Sequence, residues 1–457
     1  MKKRLLTMVI IALTAFAVTG CVYDKGEIEM INPHSQIVTE FLNKLVQNDF
    51  GAANAMLSPE LAAALTMPFE MIAIGRYGDL LEFTVLDSME ADGMYIAVFQ
   101  AVHAKGTGVF QLILDANGGV LGIAPVSFAF EPMMPPAGAQ HTAEPVVIGE
   151  GSMWALDGLL TMPNTASADN PVPALILIPG SGANNMDSSI FENRPFFDIA
   201  NYLSDNGVAV LRFNERAFTH GAQLGQVFGM NLTVHEEYIE DALLAVEILR
   251  ADPRISQVYL LGLSQGGLMA PRIAAEAGLD GVIVMAGTPH PFHVIWYNQT
   301  LAMTRDALAA GEITQAQADE SLAAIAAQME EARRILSLPA HEIENVIIMG
   351  AFPVVYEQSI IASLPLPFIA NNPQIPVLIL QGGRDFQTTV EDDFQFFVDG
   401  TAGMAHVTTR LYDTLNHLMM TAYRQEGPLV VDVLEYRIPG TVDAQVLRGI
   451  VEWIEKN

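Results

Sequence analysis

Cysteine and basic residues are both scarce in this sequence of 457 residues. The one cysteine, Cys21, excludes an intramolecular disulfide, so the fold must be stable without one. Lysine and arginine number 22 against 52 aspartates and glutamates, which gives a formal net charge of −30. Because nucleic-acid binding depends on a basic surface, this balance argues against DNA or RNA as a partner. We interpret the acidity as favouring solubility.

Long apolar runs are also rare, and one of them stands at the start of the chain. Residues 5–18 are apolar, follow the basic residues 2–4, and are too few for a membrane span. The run ends at V-T-G-C, residues 18–21, which resembles the lipobox, the cleavage signal of bacterial lipoproteins. No other stretch has the composition of a transmembrane helix.

The resemblance to a lipoprotein signal implies that residues 1–20 are removed and that Cys21 becomes the acylated first residue. Residues 21–31 then form a polar tether, and the acyl chains anchor the protein to a membrane without spanning it. We therefore expect an extracytoplasmic location at the cell envelope. An ordinary secretory signal, cleaved nearby, is the alternative interpretation.

Residues 32–130 predict a small α+β domain. Apolar residues recur at helical spacing near its start, alternating runs follow, and N-G-G at 117–119 marks a hairpin turn. Helices followed by an antiparallel meander resemble the cone-shaped ketosteroid-isomerase-like fold. No catalytic cluster is visible there, so a binding or spacer role is expected. The proline-rich residues 131–145 predict a semi-rigid linker behind this domain.

From residue 146 to residue 457, apolar strands alternate with helical patterns. This alternation predicts an α/β domain whose sheet is mainly parallel and doubly wound. The alanine-rich segment from about 295 to 345 departs from it, since it is helical throughout. We expect this segment to be a lid, because it falls on the loop side that carries active sites in open sheets. A surface helical hairpin without a catalytic role is the alternative.

Residues 257–271 form the most informative stretch. An apolar strand leads into Gly262-Leu263-Ser264-Gln265-Gly266, and a helical pattern follows. Strand, G-x-S-x-G and helix in this order are typical of the nucleophile elbow of the α/β-hydrolases, where a sharp turn exposes the serine hydroxyl. Ser264 is therefore the candidate nucleophile. The alternative is a glycine-rich turn with an incidental serine.

The candidate acid and base follow Ser264 in the order that this class of enzyme requires. A serine hydroxyl becomes nucleophilic when a base takes its proton and an acid orients that base. In α/β-hydrolases the chain order is serine, then aspartate or glutamate, then histidine. Asp385 follows an apolar strand and two glycines, and His417 follows the last strand. These two residues are the candidate acid and base.

Acyl transfer also needs two backbone donors for the oxyanion. One is expected to be the amide of Gln265, directly after the nucleophile. The other is expected in the glycine-rich loop that follows Ile178, where Ser181 and Gly182 are both candidates. The same loop begins like a dinucleotide-binding fingerprint, but the third glycine of that pattern is missing.

Six motifs carry a resemblance to a known family. They are I-P-G-S-G at 178–182, R-P-F-F-D-I-A at 194–200, V-L-R-F-N-E-R at 210–216, L-G-L-S-Q-G-G at 261–267, L-Q-G-G-R-D at 380–385 and N-H at 416–417. Together they resemble secreted bacterial α/β-hydrolases, the esterase and dienelactone-hydrolase-like members near the prolyl-oligopeptidase group. The similarity runs from about residue 146 to the C-terminus.

This resemblance and the position of nearby polar residues give expectations for the pocket. Such proteins often carry D-D-R-G where this chain has Asn214-Glu215-Arg216-Ala217, so its substrate preference is in doubt. We expect Asn214 and Glu215 beside the pocket, and His290 at its mouth after the strand at 281–286. The resemblance implies no cofactor, and no H-E-x-x-H pattern predicts a metal.

These patterns predict a membrane-tethered serine hydrolase that cleaves carboxylic esters of a small acyl substrate through an acyl-enzyme. Within enzymes, the alternative is a serine peptidase or thioesterase of the same fold. From another class, the alternative is a non-catalytic surface binding protein on a hydrolase scaffold. The sequence identifies no protein partner.

Overall fold

The structure, a computed structural model, describes residues 33–65, 69–91, 93–339, 342–343 and 345–457. The predicted signal peptide, the lipidation site Cys21 and the tether lie outside the described residues, so these assignments stay predictions. None of the described helices combines the length and the apolar composition needed to cross a bilayer.

The chain divides into two compact units. The first unit holds the described residues up to Pro132 together with 189–192 and 221–227, and the second unit holds the rest. The helices that open the first unit are α1 (Pro33–Val46), α2 (Phe50–Asn54), α3 (Pro59–Ala64) and α4 (Phe69–Ala73). Its strands are β1 (Leu80–Ala91), β2 (Met94–His103), β3 (Gly106–Leu114) and β4 (Val120–Phe130).

The first unit has the predicted order of helices followed by an antiparallel meander. Its strands pair in the order β1-β2-β3-β4, and each neighbouring pair is antiparallel. Helix α1 buries Val38, Phe41 and Leu42, which recur at the spacing of one helical face. The expected α+β class is confirmed, whereas the likeness to the ketosteroid-isomerase fold stays a prediction.

The second unit is built on an eight-stranded sheet. Its strands are β5 (His141–Ile148), β6 (Leu156–Pro163), β7 (Val172–Ile178), β8 (Ala209–Phe213), β9 (Ile255–Leu263), β10 (Gly281–Met285), β13 (Val377–Gly382) and β14 (Val407–Tyr412). They lie in the order β14-β13-β10-β9-β7-β8-β6-β5. The pairs from β14 to β8 are parallel, and β6 pairs antiparallel with β8 and β5. The predicted α/β-hydrolase fold is confirmed.

Burial explains why the central strands read as unbroken apolar runs. Every residue of β8, β10 and β13 is buried, as expected for parallel strands without a solvent-facing side. The helices of this unit beside its sheet are α5 (Pro195–Asp205), α7 (Glu240–Ala251), α8 (Gln265–Ala277), α13 (Gln395–Gly400) and α14 (Ala444–Ile454). Helix α6 (Arg216–Val227) begins in this unit, and its residues 221–227 belong to the first. Two π-helical turns, at His235–Ile239 and Val390–Phe394, lead directly into α7 and α13.

The predicted linker at 131–145 is wrong at its end, because β5 begins at His141. This strand pairs with β6 from His141 opposite Pro163 onward. It forms the edge of the sheet, where a proline such as Pro145 costs no ladder hydrogen bond if its nitrogen faces outward. Residues 141–145 include a proline and exposed positions, so their sequence resembles a linker although they begin an edge strand.

A helical insertion separates β10 from β13. It contains α9 (Phe292–Ala309), α10 (Gln315–Leu336), the short strands β11 (Ile347–Ile348) and β12 (Phe352–Pro353), α11 (Val354–Ile361) and α12 (Pro365–Asn371). The helices α9 and α10 match the predicted segment from 295 to 345, and α9 begins three residues earlier. A small apolar cluster that includes Ile325, Ile343 and Val354 holds the insertion together. Its function as a lid stays a prediction.

Candidate active site

Ser264 lies in the sharp turn between β9 and α8. Its backbone has φ 56° and ψ −118°, a conformation that non-glycine residues rarely adopt. A Cβ on Gly262 would come within 2.1 Å of the Gly266 carbonyl oxygen, and one on Gly266 within 2.5 Å of the Ile178 carbonyl oxygen. The two glycines are therefore required by the turn itself. The Ser264 side chain does not cap the following helix, which leaves its hydroxyl available.

Asp385 and His417 form a hydrogen-bonded pair. Asp385 is fully buried three residues after the end of β13, and its Oδ2 lies 2.8 Å from Nδ1 of His417. Since an ionised carboxylate only accepts hydrogen bonds, Nδ1 carries the proton. In the neutral ring Nε2 is then the nitrogen with a free lone pair, as a general base requires.

The Asp385 carboxylate is held by its own loop. Its Oδ1 accepts hydrogen bonds from the amides of Gln387 and Thr388, at 2.8 and 3.0 Å. Its Oδ2 accepts from the Thr388 hydroxyl at 2.7 Å and from Nε2 of Gln381 at 3.1 Å. With five donors counting His417, the carboxylate has one fixed orientation.

Contacts across the strand ends connect this pair to the turn that holds Ser264. The Ser264 amide donates to the carbonyl of Met285, at the end of β10. The Thr388 hydroxyl, which donates to Asp385, lies 3.1 Å from the carbonyl oxygen of the next residue, Ala286, and 3.4 Å from Nδ1 of His417. Among the described residues, His417 is hydrogen-bonded to Asp385 but not to Ser264. In the absence of substrate such bonds are often long.

The glycine-rich loop after β7 packs directly on Ser264. A Cβ on Gly180 would lie 3.1 Å from Cβ of Ser264. Nδ2 of Asn184 donates to the carbonyls of Gly180 and Gly182, at 2.8 and 2.6 Å. The Gly180 carbonyl and the Ser181 amide belong to the same trans peptide group and point in opposite directions. The Ser181 amide therefore faces away from Asn184. Gln265 is the first residue of α8, so its amide has no partner within the helix.

The expected substrate-binding residues contact loop backbone. Oδ1 of Asn214 accepts from the Met186 amide at 2.9 Å, and Oε2 of Glu215 accepts from the Asn184 amide at 2.6 Å. Both side chains are buried under the glycine-rich loop. Nε2 of His290 lies 2.9 Å from the carbonyl oxygen of Asp392, in the π-helical turn Val390–Phe394. Their contribution to substrate binding stays a prediction.

Two buried carboxyl groups that sequence patterns did not single out lie in the π-helical turns. Burial raises the pKa of Glu237 to about 7, against a hydrogen bond from Tyr356 that lowers it. Burial also raises the pKa of Asp393 to about 7, against hydrogen bonds from Thr288 and the Thr389 amide. The charge of Asp385 raises the pKa of Asp393 further. Each group supports one side of the site, and no local motif marks either.

Metal ligands do not converge in the part of the chain that the structure describes, where no group of three or more His, Cys, Asp or Glu side chains is placed to hold an ion.

Comparison with known proteins places the chain in a family. Residues 194–422 match the family described as serine aminopeptidase, S33. The esterase EstD of Thermotoga maritima is 34% identical over 303 residues, which is 66% of this chain and 66% of that protein. The match thus spans just under two thirds of that relative's length.

Two solved structures resemble the chain at low identity. Est1E from Butyrivibrio proteoclasticus is 15% identical, with 68% of this chain and 98% of that chain covered and a TM-score of 0.40. The acylaminoacyl peptidase of Pyrococcus horikoshii is 12% identical, with 76% of this chain and 53% of that chain covered and a TM-score of 0.41. The family match extends over half of the chain. This protein belongs to the serine aminopeptidase S33 family of α/β-hydrolases.

Proposed function

We propose that this protein is a serine hydrolase that cleaves carboxylic esters through an acyl-enzyme. The observation that carries the proposal is the buried Asp385–His417 pair at the sheet edge where Ser264 occupies a strained elbow. The identity to an esterase of Thermotoga maritima supports esters as the substrate class. A small acyl compound is the proposed substrate, and the chemistry needs no cofactor.

Each step uses a group at this site. Oγ of Ser264 attacks the ester carbonyl while Nε2 of His417 takes its proton, and Asp385 stabilises the imidazolium that forms. Collapse of the tetrahedral intermediate expels the alcohol, which His417 protonates. Water then loses a proton to His417 and attacks the acyl group, which releases the acid and restores the Ser264 hydroxyl.

We assign the oxyanion donors to the amides of Gln265 and Ser181. Gln265 follows the nucleophile and begins α8, so its amide is free of helix bonding. Ser181 is preferred to Gly182 because the Gly180 carbonyl is turned towards Asn184 and because Gly180 packs on Ser264. A donor of this kind contributes about 10²–10³ in rate.

The proposal is tested by hydrolysis of p-nitrophenyl butyrate. Ser264→Ala should abolish turnover, while Ser337→Ala, at the end of α10, should match the wild type in rate. Equal turnover by wild type and Ser264→Ala would overturn the assignment of the nucleophile. Absence of turnover of every short acyl ester by the wild type would favour a non-catalytic binding protein.

The family description supports a second candidate, a serine peptidase. An amide substrate can also acylate Ser264, with His417 and Asp385 in the same roles. The difference is that the amine is a poorer leaving group than an alcohol and must be protonated to leave. Comparing kcat/KM for p-nitrophenyl butyrate and alanine p-nitroanilide separates the two candidates. An esterase has the higher kcat/KM for the ester, whereas an aminopeptidase hydrolyses the alanine anilide efficiently. A thioester substrate added to the same series tests the thioesterase alternative.

The residues V-T-G-C at 18–21 support the proposal that the enzyme is anchored at the cell envelope. Wild-type protein expressed in a bacterial host should incorporate radiolabelled palmitate and sediment with membranes. Cys21→Ser should lose the label and leave the membrane fraction. Labelling that persists in Cys21→Ser would contradict lipidation at this residue.

A further inference from the structure

A group of hydrogen-bonded side chains lies behind Gln265, the residue that follows the proposed nucleophile. Gln265 is buried, and each end of its side-chain amide faces a tyrosine hydroxyl. Its Nε2 donates to the hydroxyl of Tyr356 at 2.8 Å, and its Oε1 lies 3.5 Å from the hydroxyl of Tyr238. We call Tyr238, Tyr356 and Glu237 the tyrosine clamp.

Glu237 fixes the direction of the hydrogen bonds at Tyr356. The Tyr356 hydroxyl donates to Oε2 of Glu237 at 2.5 Å, so its lone pairs are left to accept from Gln265. Burial raises the pKa of both Tyr238 and Tyr356 well above the usual range, so both hydroxyls stay protonated and able to donate. The chain of donors therefore runs from Gln265 through Tyr356 to Glu237.

Tyr238 connects the clamp to the other proposed donor. Its hydroxyl donates to the carbonyl of Gly180 at 2.9 Å. That peptide also carries the Ser181 amide, which must point the opposite way across the planar group. One tyrosine thus contacts the two segments that supply the proposed oxyanion donors.

The clamp joins the sheet core to the helical insertion. Glu237 and Tyr238 lie in the π-helical turn His235–Ile239, a feature found often at functional sites. Tyr356 lies on α11 of the insertion, where the Ser359 hydroxyl also accepts a hydrogen bond from the Val234 amide at 3.1 Å. Two contacts of α11 therefore fix the position of Tyr356: its own hydrogen bond to Glu237, and the bond between Ser359 and Val234, the residue before the turn.

We propose that the tyrosine clamp positions the oxyanion donors, so that Tyr356 of the insertion acts on catalysis through Gln265 without touching the substrate. This inference rests on the proposed function. The clamp accepts a hydrogen bond from Nε2 of Gln265 and donates one to the carbonyl of the Gly180 peptide. Its effect therefore falls on stabilisation of the tetrahedral intermediate, and ground-state binding of the ester is left unchanged.

The first test is Tyr356→Phe, which keeps the ring and removes the hydroxyl. We expect kcat for p-nitrophenyl butyrate to fall about tenfold or more, below the 10²–10³ lost with a whole donor, while KM stays within about twofold. The inhibition constant of a trifluoromethyl ketone, which forms a tetrahedral adduct, should rise by the same factor. Tyr297→Phe, in the apolar cluster of the same insertion, is the matched control and should leave both values unchanged.

Variants of Glu237 keep the inference testable if Tyr356→Phe unfolds. Glu237→Gln retains an oxygen that accepts from Tyr356 and should keep kcat within about threefold of wild type, whereas Glu237→Met should lower kcat as Tyr356→Phe does. Combining Glu237→Met with Tyr356→Phe should add little, because both changes break the same chain of hydrogen bonds.

The outcomes separate this inference from the function on which it rests. If Ser264→Ala is inactive and Tyr356→Phe retains wild-type kcat and inhibitor affinity, the clamp inference fails and the proposed function stands. A rise in KM with kcat unchanged would also overturn it, since that result indicates a substrate-binding role. If Ser264→Ala retains activity, the proposed function fails, and the clamp inference fails with it.

Discussion

The two halves of the candidate active site are supported in different ways. The acid–base half consists of Asp385 and His417, and the other donors to Asp385 come from residues within four positions of it. The oxyanion half depends on contacts between distant segments. Tyr238 is 58 residues from Gly180, and Tyr356 is 91 residues from Gln265 and 119 from Glu237.

This difference has a physical consequence. Asp385 keeps its orientation when one donor is lost, because four others remain. The oxyanion half has no such redundancy, since a single hydroxyl links Gln265 to Glu237. We therefore expect the acid–base half to tolerate changes in its supporting residues better than the oxyanion half does.

The largest expected effects come from the acid–base pair itself. His417→Ala should lower kcat by about 10⁴-fold or more, because His417 is the proposed acceptor of the Ser264 proton. Asp385→Asn should cost about 10⁴-fold, because the amide stabilises the wrong tautomer of His417. Steady-state hydrolysis of p-nitrophenyl butyrate measures both, with Ser337→Ala as a control. A residual rate near wild type in either variant would remove that residue from the mechanism.

Loss of one supporting hydroxyl in each half tests the comparison directly. Thr388→Val removes a single donor to Asp385, so we expect kcat to fall only about threefold, in line with 0.5–1.5 kcal/mol for one hydrogen bond. Tyr356→Phe should have the larger effect. If Thr388→Val proves the more damaging of the two, the difference in redundancy between the halves does not govern catalysis.

The buried carboxyl group of Asp393 predicts a pH dependence of the free energy of unfolding. The pKa of Asp393 is about 7 in the folded chain, above its usual value, so the folded state holds a proton that the unfolded state has lost between about pH 4 and 7. This contribution to stability is complete below about pH 4 and is lost as the pH rises through 7.

Urea unfolding at pH 5 and pH 7 measures this contribution. The wild type should lose about 1–2 kcal/mol more of its unfolding free energy over this interval than Asp393→Asn, which cannot titrate. Comparing the change between the two pH values cancels any constant effect of the substitution. Equal changes in both proteins would show that Asp393 does not hold a proton near neutral pH.

The smallest expected effect lies away from both halves. Thr314 begins α10 with a capping box, in which its hydroxyl accepts from the Gln317 amide and Gln317 reaches back to the Thr314 amide. Thr314→Ala should lower the free energy of unfolding by about 1 kcal/mol without changing kcat. A large loss of kcat would indicate that the fold of α10 bears on catalysis as closely as α11 does.

Local signals and distant contacts differed in what they let us predict. The turn around Ser264 and the loop around Asp385 are specified by glycines and apolar strands within a few residues, so their form could be predicted from sequence. The helices of the insertion were predicted on the same grounds. The first part of the edge strand β5, residues 141–145, was assigned to a linker, because only one neighbour pairs with this strand and few of its residues are buried.

The tyrosine clamp could not be predicted from the chain alone. No local motif marks Glu237, Tyr238 or Tyr356 in the sequence. Their association depends on how α11 packs on the π-helical turn, which is a long-range contact. The same holds for Asn214 and Glu215, expected beside the pocket and found bonded to the loop that covers them.

The most direct measurement is the site of covalent modification by a fluorophosphonate. The wild-type protein, labelled and digested, should carry the phosphonyl group on Ser264, and labelling should be lost in both Ser264→Ala and His417→Ala. A phosphonyl group on another serine, or labelling of His417→Ala at the wild-type rate, would contradict convergence of these side chains at one sheet edge.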